Sequence, residues 1–295
     1  MAHKAGYVNI IGNPNVGKST LMNILVGEKL SIITSKAQTT RHRILGIVND
    51  EDYQIVFSDT PGIIQKPAYK MHEVMNSFVN IAFIDADVIL FVVDVTEKAD
   101  HTQTIRRINE SGVKVIVVLN KVDLITQDQV LALVAQWQQH LPGAIVVPVA
   151  AAHGFNIDTI RQHILELLPE SPPYFPKDEL TDKSMRFFVS EIIREKVLLN
   201  YKQEIPYAVE VAVESYEESE NLIRISAYLF AARESQKAIL IGKGGEAIKK
   251  VGVQARQDIE AFVGKKVFLE LSVKVVKDWR NNEKMLKRFG YEPYM

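Results

Sequence analysis

Cysteine is absent from the 295-residue sequence, which excludes disulfides, thiolate metal sites and cysteine nucleophiles. Glycine and proline are few, 15 and 11 residues, and that argues against a collagenous or low-complexity chain. Long hydrophobic runs are missing as well. The longest lies around residues 88–93, far short of the ~20 residues a membrane-spanning helix needs. Met1-Ala2-His3-Lys4 runs straight into a strand-like stretch without the apolar run of a signal peptide. What remains is a chain with 47% hydrophobic and 24% charged residues. At roughly 100–200 residues per domain it has room for two, and it can bury a full core without a structural metal. The expectation is a soluble, cytoplasmic, two-domain protein.

Neither sign of charge dominates, since the net charge is −1. The distribution is less even. Residues 1–176 hold 14 Lys and Arg against 17 Asp and Glu, and residues 177–295 hold 21 against 19. Within the second half, residues 204–220 contain six Glu and no Lys or Arg, whereas residues 233–288 contain 14 basic against 7 acidic residues. A basic block of that size is either a nucleic-acid surface or a solvated helix face.

Along the first 168 residues, apolar β-branched runs at 7–11, 44–48, 53–58, 88–94, 113–119 and 144–149 read as strands. Most are separated by segments of helical spacing at 19–26, 71–83, 102–109, 127–140 and 156–168. That alternation predicts an α/β domain with a mostly parallel sheet covered on both faces. Runs 44–48 and 53–58 are too close for a crossover and should form an antiparallel hairpin at one edge. Residues 169–176 then carry four prolines, the mark of an extended, semi-rigid linker. Beyond it the pattern reads helix (184–199), strands (207–213 and 222–229), two helices around a glycine cluster, strand (266–276) and a last helix (278–289). The expected division is 1–168, a linker at 169–182, and an α+β domain at 183–295.

Directly after the first strand stands Gly12-Asn13-Pro14-Asn15-Val16-Gly17-Lys18-Ser19, followed by Thr20. This G-x-x-x-x-G-K-S loop suits a triphosphate. The glycines let backbone N–H groups curl around phosphate oxygens, and the following helix adds its positive end. Lys18 reaches the β- and γ-phosphates, while the Ser19 hydroxyl is placed to ligate Mg2+. Such a site also needs a carboxylate at the end of a neighbouring strand. Asp59 begins Asp59-Thr60-Pro61-Gly62, whose glycine N–H can sense the γ-phosphate. At the end of another strand lies Asn120-Lys121-Val122-Asp123. Asp123 can accept from two guanine N–H groups that adenine lacks. Asn120 tethers loops or contacts the base, and the Lys121 stem can stack on its face.

These three motifs, in this order, resemble the translation-factor class of P-loop GTPases. The resemblance implies a switch threonine within Thr39-Thr40-Arg41, with Thr40 first and Thr39 next as magnesium ligand. It implies a guanine-contacting loop at Ala150-Ala151-Ala152, where Ala151 offers its N–H to the guanine carbonyl. Ala150 stands where the class usually has serine. Ile63 stands where Ras-like proteins carry the water-orienting glutamine. The chain is therefore similar to GTPases with a hydrophobic residue at that place, some of which use K+ held by an asparagine of the phosphate loop, here Asn15. Slow intrinsic hydrolysis stimulated by potassium is the implied behaviour.

In the basic half, Ile239-Leu240-Ile241-Gly242-Lys243-Gly244-Gly245-Glu246-Ala247-Ile248-Lys249-Lys250 joins two helices. A G-x-x-G turn with a basic residue allows close approach to phosphates, as in KH domains that clamp about four nucleotides. Ile239, Ile241 and Ile248 would wall the groove. The lysine-rich stretch 265–288 extends that footprint or is a solvated face. A GTPase with a hydrophobic residue at 63, a proline-rich linker and a type II KH domain resembles the bacterial Era GTPase family. Residues 35–44, 190–196 and Phe289-Gly290-Tyr291 fit that pattern, so the resemblance covers essentially the whole chain. It implies GTP and GDP as ligands, binding to small-subunit ribosomal RNA near its 3′ end, and a role in 30S assembly. It further implies peripheral inner-membrane association; no heptad or unexplained apolar stripe calls for a dimer, so a monomer is expected. Two other classes stand against it. A small-molecule kinase or ATPase is disfavoured by residues 120–123, and a passive RNA-binding module by the intact Lys18, Ser19, Asp59 and Asp123.

Overall fold

The computed structural model describes residues 2–292. Its first half is a six-stranded sheet of order β2-β3-β1-β4-β5-β6. The strands are β1 (Lys4–Ile11), β2 (Ile44–Asn49), β3 (Tyr53–Asp59), β4 (Val88–Asp94), β5 (Lys114–Asn120) and β6 (Ile145–Val149). All neighbours are parallel except β2 and β3, which form the expected edge hairpin. Helices α1 (Lys18–Val26), α2 (Lys70–Ile84), α3 (Thr102–Ser111), α4 (Gln127–His140) and α5 (Ile157–Leu167) alternate with the strands. Every residue of β4 is buried, because helices cover both faces of the sheet. β1 lies between β3 and β4, so the chain leaves it at the point where strand order reverses. The crevice outside such strand ends is where open α/β sheets hold ligands.

The second half begins with α6 (Met185–Asn200) and a short turn of helix, α7 (Ile205–Ala208), with Pro206 in its first turn. That turn delays β7 to Val209–Glu218, later than the sequence suggests, and the strand runs on into the Glu-rich segment. β8 (Leu222–Ala231), α8 (Glu234–Ile241), α9 (Glu246–Val263) and β9 (Lys266–Val275) follow. β7 pairs antiparallel with β8, and β8 pairs parallel with β9 across the α8–α9 crossover. A core of Val189, Ile193, Val197, Ile225, Leu229, Val251, Ala255 and Ile259 packs helices on one sheet face. The single last helix expected at 278–289 is instead two pieces. Trp279–Asn281 is a 3₁₀ turn, and α10 (Glu283–Arg288) restarts after Asn282, whose side chain caps it through Met285 N at 3.2 Å. Burial of Trp279, with its indole N–H on Ala208 O at 3.0 Å, sets this break.

Residues 169–176 are extended, as their prolines require, and a turn at 176–179 follows, but residues 169–182 are not a free linker. Gln54 receives the N–H groups of Tyr174 (2.7 Å) and Phe175 (3.0 Å) and donates to Phe175 O (2.8 Å). Ile47 N donates to Leu180 O at 2.8 Å, and Leu45 N to Asp182 Oδ1 at 3.0 Å. The segment is a strap along β2 that occupies part of an edge otherwise open to pairing. The two halves also share a core, in which Met71, Met75 and Phe78 of α2 meet Ala232, Trp279, Leu286 and Tyr291. His42 is buried beside it, its ring centroid 4.4 Å from that of Tyr291, and burial holds its imidazole down to about 4, neutral at pH 7. Among the described residues no helix is long and apolar enough to cross a membrane.

Candidate functional site

The loop between β1 and α1 turns through three left-handed residues, Gly12 (φ 151°), Asn15 (φ 65°) and Gly17 (φ 100°). Gly17 cannot be replaced freely. A Cβ there would stand 2.2 Å from the Asn120 side-chain nitrogen, so the guanine motif and the phosphate loop touch through it. Asn120 completes that tie by donating to Val16 O at 2.8 Å and accepting from Ala151 N at 3.0 Å. Of the two roles open to Asn120 in the sequence, the structure gives it the tether. The Ala151 N–H, expected on the guanine carbonyl, is the donor of that 3.0 Å bond.

Lys18 is buried, with its ammonium donating to Gly12 O (3.0 Å) and Asn13 O (2.7 Å). Burial lowers its pKa to about 8, partly opposed by the charge of Asp59. Asp59, at the end of β3, accepts through Oδ2 from Ser19 Oγ at 2.7 Å and Thr40 Oγ1 at 3.2 Å, and the two hydroxyls are 2.8 Å apart. Burial pushes the Asp59 carboxyl up, while these hydrogen bonds and the nearby lysine pull it down. Its other oxygen, Oδ1, is buried with no hydrogen-bond partner. One buried carboxylate with an unused oxygen, two hydroxyls and no soft donor suits a hard, oxygen-seeking cation such as Mg2+. Among the described residues no group of three or more His, Asp or Glu could hold a metal, so a cation here also needs ligands from the nucleotide. Thr40 stands in this cluster. Thr39 does not, since its hydroxyl bonds Thr34 (2.7 Å) and Lys36 O (2.6 Å).

Thr60 bonds Ile10 O at 2.8 Å and anchors the start of the following loop. Gly62 lies so close to the phosphate loop that a Cβ would stand 2.7 Å from Pro14. Ile63 packs at the edge of the apolar cluster around Ile11 and Phe91 and has no polar group to offer water. Asn15 donates its side-chain N–H to Ser35 O at 3.2 Å. Lys121, with φ 69°, is paired with Asp94, a residue the sequence motifs did not single out. Asp123 sits in the middle of a 3₁₀ turn, Val122–Leu124, and His153 Nε2 lies 3.6 Å from its Oδ2. Ala150 brings no hydroxyl to this end of the site. A cavity of about 520 Å³ runs from Lys18, Ser19 and Thr40 to Asp123, Leu124 and Ala152, long enough to join a phosphate end to a base end.

In the second half, Gly242 (φ 74°), Gly244 (φ 61°) and Gly245 (φ 82°) turn the chain from α8 into α9, with Lys243 exposed between them. At Gly242 a Cβ would stand 2.7 Å from that of Ala247. A groove of about 250 Å³ lies between α9 and β9, lined by Ile248, Lys249, Gly252, Val253, Arg256, Leu269 and Leu271. Ile239 (51% exposed) and Ile241 do not line it, and Lys250 is not among its walls. The missed wall residues were legible as a stripe. Positions 248, 252 and 256 repeat every four residues on one helix face, and 269 and 271 share one face of a strand. Gly252 keeps the stripe open opposite Leu271, 3.5 Å from where its Cβ would be.

A family profile described as "50S ribosome-binding GTPase" matches residues 7–121, and one described as "KH domain" matches residues 204–280. The chain is 42% identical over 292 residues to the GTPase Era of Staphylococcus haemolyticus, covering 98% of this chain and 97% of that protein. Its identity to the GTPase Era of Syntrophus aciditrophicus is 44% over 292 residues, covering 98% and 95%. A crystal structure of Era in complex with MgGDPNP and nucleotides 1506–1542 of 16S ribosomal RNA superposes with a TM-score of 0.93 at 39% identity, over 98% of this chain and 99% of that one. The Aquifex aeolicus Era structure with GDP and AlF4− gives the same TM-score, identity and coverage.

Proposed function

The chain belongs to the Era family of GTPases, and from that premise we propose that its nucleotide state controls binding to the 3′ end of small-subunit ribosomal RNA during 30S assembly. The observation that carries this reading is the pairing of two built sites in one chain. The oxygens of Ser19, Thr40 and Asp59 converge beside the Lys18 ammonium, and a G-x-x-G turn leads into the helix that lines an apolar-and-basic groove. A relative of known structure holds MgGDPNP and nucleotides 1506–1542 of 16S ribosomal RNA, ligands that match those two sites. We place the protein in the cytoplasm as a monomer, with the peripheral inner-membrane contact that the family resemblance implies.

Residues 12–20 would cradle the β- and γ-phosphates, with Lys18 supplying the buried positive charge. Mg2+ held by Ser19, Thr40 and Asp59 would neutralise charge on the phosphate oxygens. Asp123 would read the guanine edge, with Lys121 and Val122 shaping that end and Ala150, Ala151 and Ala152 closing it. In the second half Gly242, Lys243, Gly244 and Gly245 would approach the RNA backbone, and Ile248 and Lys249 would meet its bases. Ile239, Ile241 and Lys250 lie outside the groove and are not proposed as its walls.

With Ile63 in place of a polar residue, the attacking water must be oriented by other groups. We assign Asn15 as a potassium ligand that brings positive charge to the transferring phosphate, on an enzyme whose unaided turnover is slow. Hydrolysis in KCl should exceed that in NaCl at equal ionic strength, and the Asn15→Ala variant should lose the difference. Equal wild-type rates in both salts would remove potassium from the mechanism.

The switch reading is tested by RNA affinity in two nucleotide states. Crosslinking and sequencing of bound RNA should give a sharp peak at the 3′ end of small-subunit ribosomal RNA with a GTP analogue, and a weaker one with GDP. Linkage requires that RNA raise affinity for the analogue by the same factor. Identical RNA affinity in both states would overturn the switch and leave two independent sites.

A further inference from the structure

Residues 39–41 belong to both halves of the protein at once. The Thr40 hydroxyl lies in the cluster with Ser19 and Asp59. The next side chain, Arg41, points the other way and is fully buried against the second domain. Its guanidinium donates to Val209 O (2.8 Å), Glu210 Oε2 (2.9 Å) and Pro206 O (3.1 Å). On the other side of Thr40, the carbonyl of Thr39 accepts from Arg194 Nη2, and that of Gln38 from Nη1 at 3.4 Å. Arg194 is itself clamped by both oxygens of Glu191, at 2.7 and 2.5 Å. Glu210 also receives the Tyr291 hydroxyl at 2.5 Å. Further back, the Lys36 ammonium donates to the carbonyls of Leu198 and Tyr201.

Consecutive Cα atoms are only ~3.8 Å apart, so fixing the chain at 39 and again at 41 leaves residue 40 little freedom. A free loop would lose backbone entropy when GTP orders it, whereas a loop pinned beforehand has already lost it. We infer that Arg194 and Glu210, two residues of the RNA-binding half, are positioning residues for GTP recognition: they hold residues 39–41 so that the Thr40 hydroxyl faces the metal side of the phosphate cavity. The inference rests on the GTP-switch reading above and deepens it. It makes the second domain part of the γ-phosphate sensor and gives RNA a physical route to the nucleotide, through β7 and α6.

GDP has no γ-phosphate and makes no demand on Thr40, so the two nucleotides separate positioning from general stability. The test uses the full chain with fluorescent GDP and a fluorescent non-hydrolysable GTP analogue, titrated with Mg2+ present. Glu210→Gln keeps the shape and removes the charge beside Arg41. It should weaken the GTP analogue about tenfold and leave GDP within about twofold of wild type. Tyr291→Phe removes one hydroxyl from Glu210 and should move the ratio in the same direction by a smaller factor. This milder variant decides the matter if Glu210→Gln does not fold. Thr40→Ala added to either variant should cost less than it does in wild type, because both changes act through one group. Equal losses for both nucleotides, an unchanged ratio, or full additivity with Thr40→Ala would overturn the inference. Wild-type protein that binds neither nucleotide would instead overturn the GTP-switch reading on which it rests.

Discussion

Lys18→Ala is expected to lower GTP turnover by at least about 10²–10³-fold and to weaken nucleotide binding with it. The ammonium is buried, and burial pulls its pKa down to about 8 against the opposing charge of Asp59. Two carbonyl oxygens of its own loop, Gly12 O and Asn13 O, are its hydrogen-bond partners, and the Asp59 carboxylate provides the main opposing charge. A desolvated cation held this way interacts with phosphate oxygens far more strongly than a solvated one would. Alanine removes that charge and also leaves both carbonyls facing an empty space, so the loop loses its internal brace. Single-turnover hydrolysis measures the first loss and a fluorescent-nucleotide titration the second. A variant that hydrolyses GTP within tenfold of wild type would show that the phosphates lie elsewhere.

Where local chemistry decides an element, its limits were legible in the sequence to the residue. Residues 127–140 begin after Thr126, which with Gln129 forms a reciprocal capping box visible as T-x-x-Q. Residues 88–94 are an unbroken apolar run ending in Asp94. The phosphate loop declares itself because its glycines and lysine have fixed places relative to a strand and a helix. What was hidden depends on distant partners. Arg41 reads as one basic residue among several after two threonines, yet its partner Glu210 is 169 positions away in another domain. The strap along β2 could not be told from a free linker, because prolines fix extension and say nothing of where an extended chain rests. The break in the last helix is set by burial of Trp279, a tertiary fact, and its only local trace is Asn282 as a cap. At the guanine end, Ala150 was visible as a missing hydroxyl. That His153 stands 3.6 Å from Asp123 follows from the turn after β6, which has no signature of its own.

The charged groups at the domain boundary are buried and paired, which explains why they can specify one arrangement. Arg41 and Arg194 are matched by Glu210 and Glu191. Burial pushes the Glu210 carboxyl up, but the two guanidinium charges outweigh it and hold the group below its ordinary value. Removing one member of such a set leaves an uncompensated charge, costing about 3–5 kcal/mol in comparable buried pairs. An apolar interface could slide by a residue with little penalty, whereas this one loses several charge-assisted hydrogen bonds together. The same contacts that fix the domains therefore fix the loop that carries Thr40.

Asp123→Asn is expected to turn the base preference from guanine to xanthine. Guanine presents two donors side by side, the N1 hydrogen and the exocyclic amine, and a carboxylate accepts both. An amide accepts one and offers its own N–H, which the guanine amine cannot receive but the C2 carbonyl of xanthine can. Loss of a buried polar match of this kind discriminates by about 10⁴–10⁵ in sites built around it. In this protein the effect should be close to that range, because Asp123 has little other employment. His153 Nε2 lies 3.6 Å from its Oδ2, and position 150 supplies no hydroxyl. The substitution therefore disturbs no buried network, unlike a change at Asn120, which ties Val16 to Ala151. Affinity for GTP should collapse, affinity for XTP should rise toward the wild-type GTP level, and the melting temperature should hardly move. Competition titrations with GTP, XTP and ATP read all three preferences in one experiment. If the asparagine variant still favours GTP over XTP, the base is not read by residue 123, and the cavity near Leu124 and Ala152 recognises something other than a purine edge.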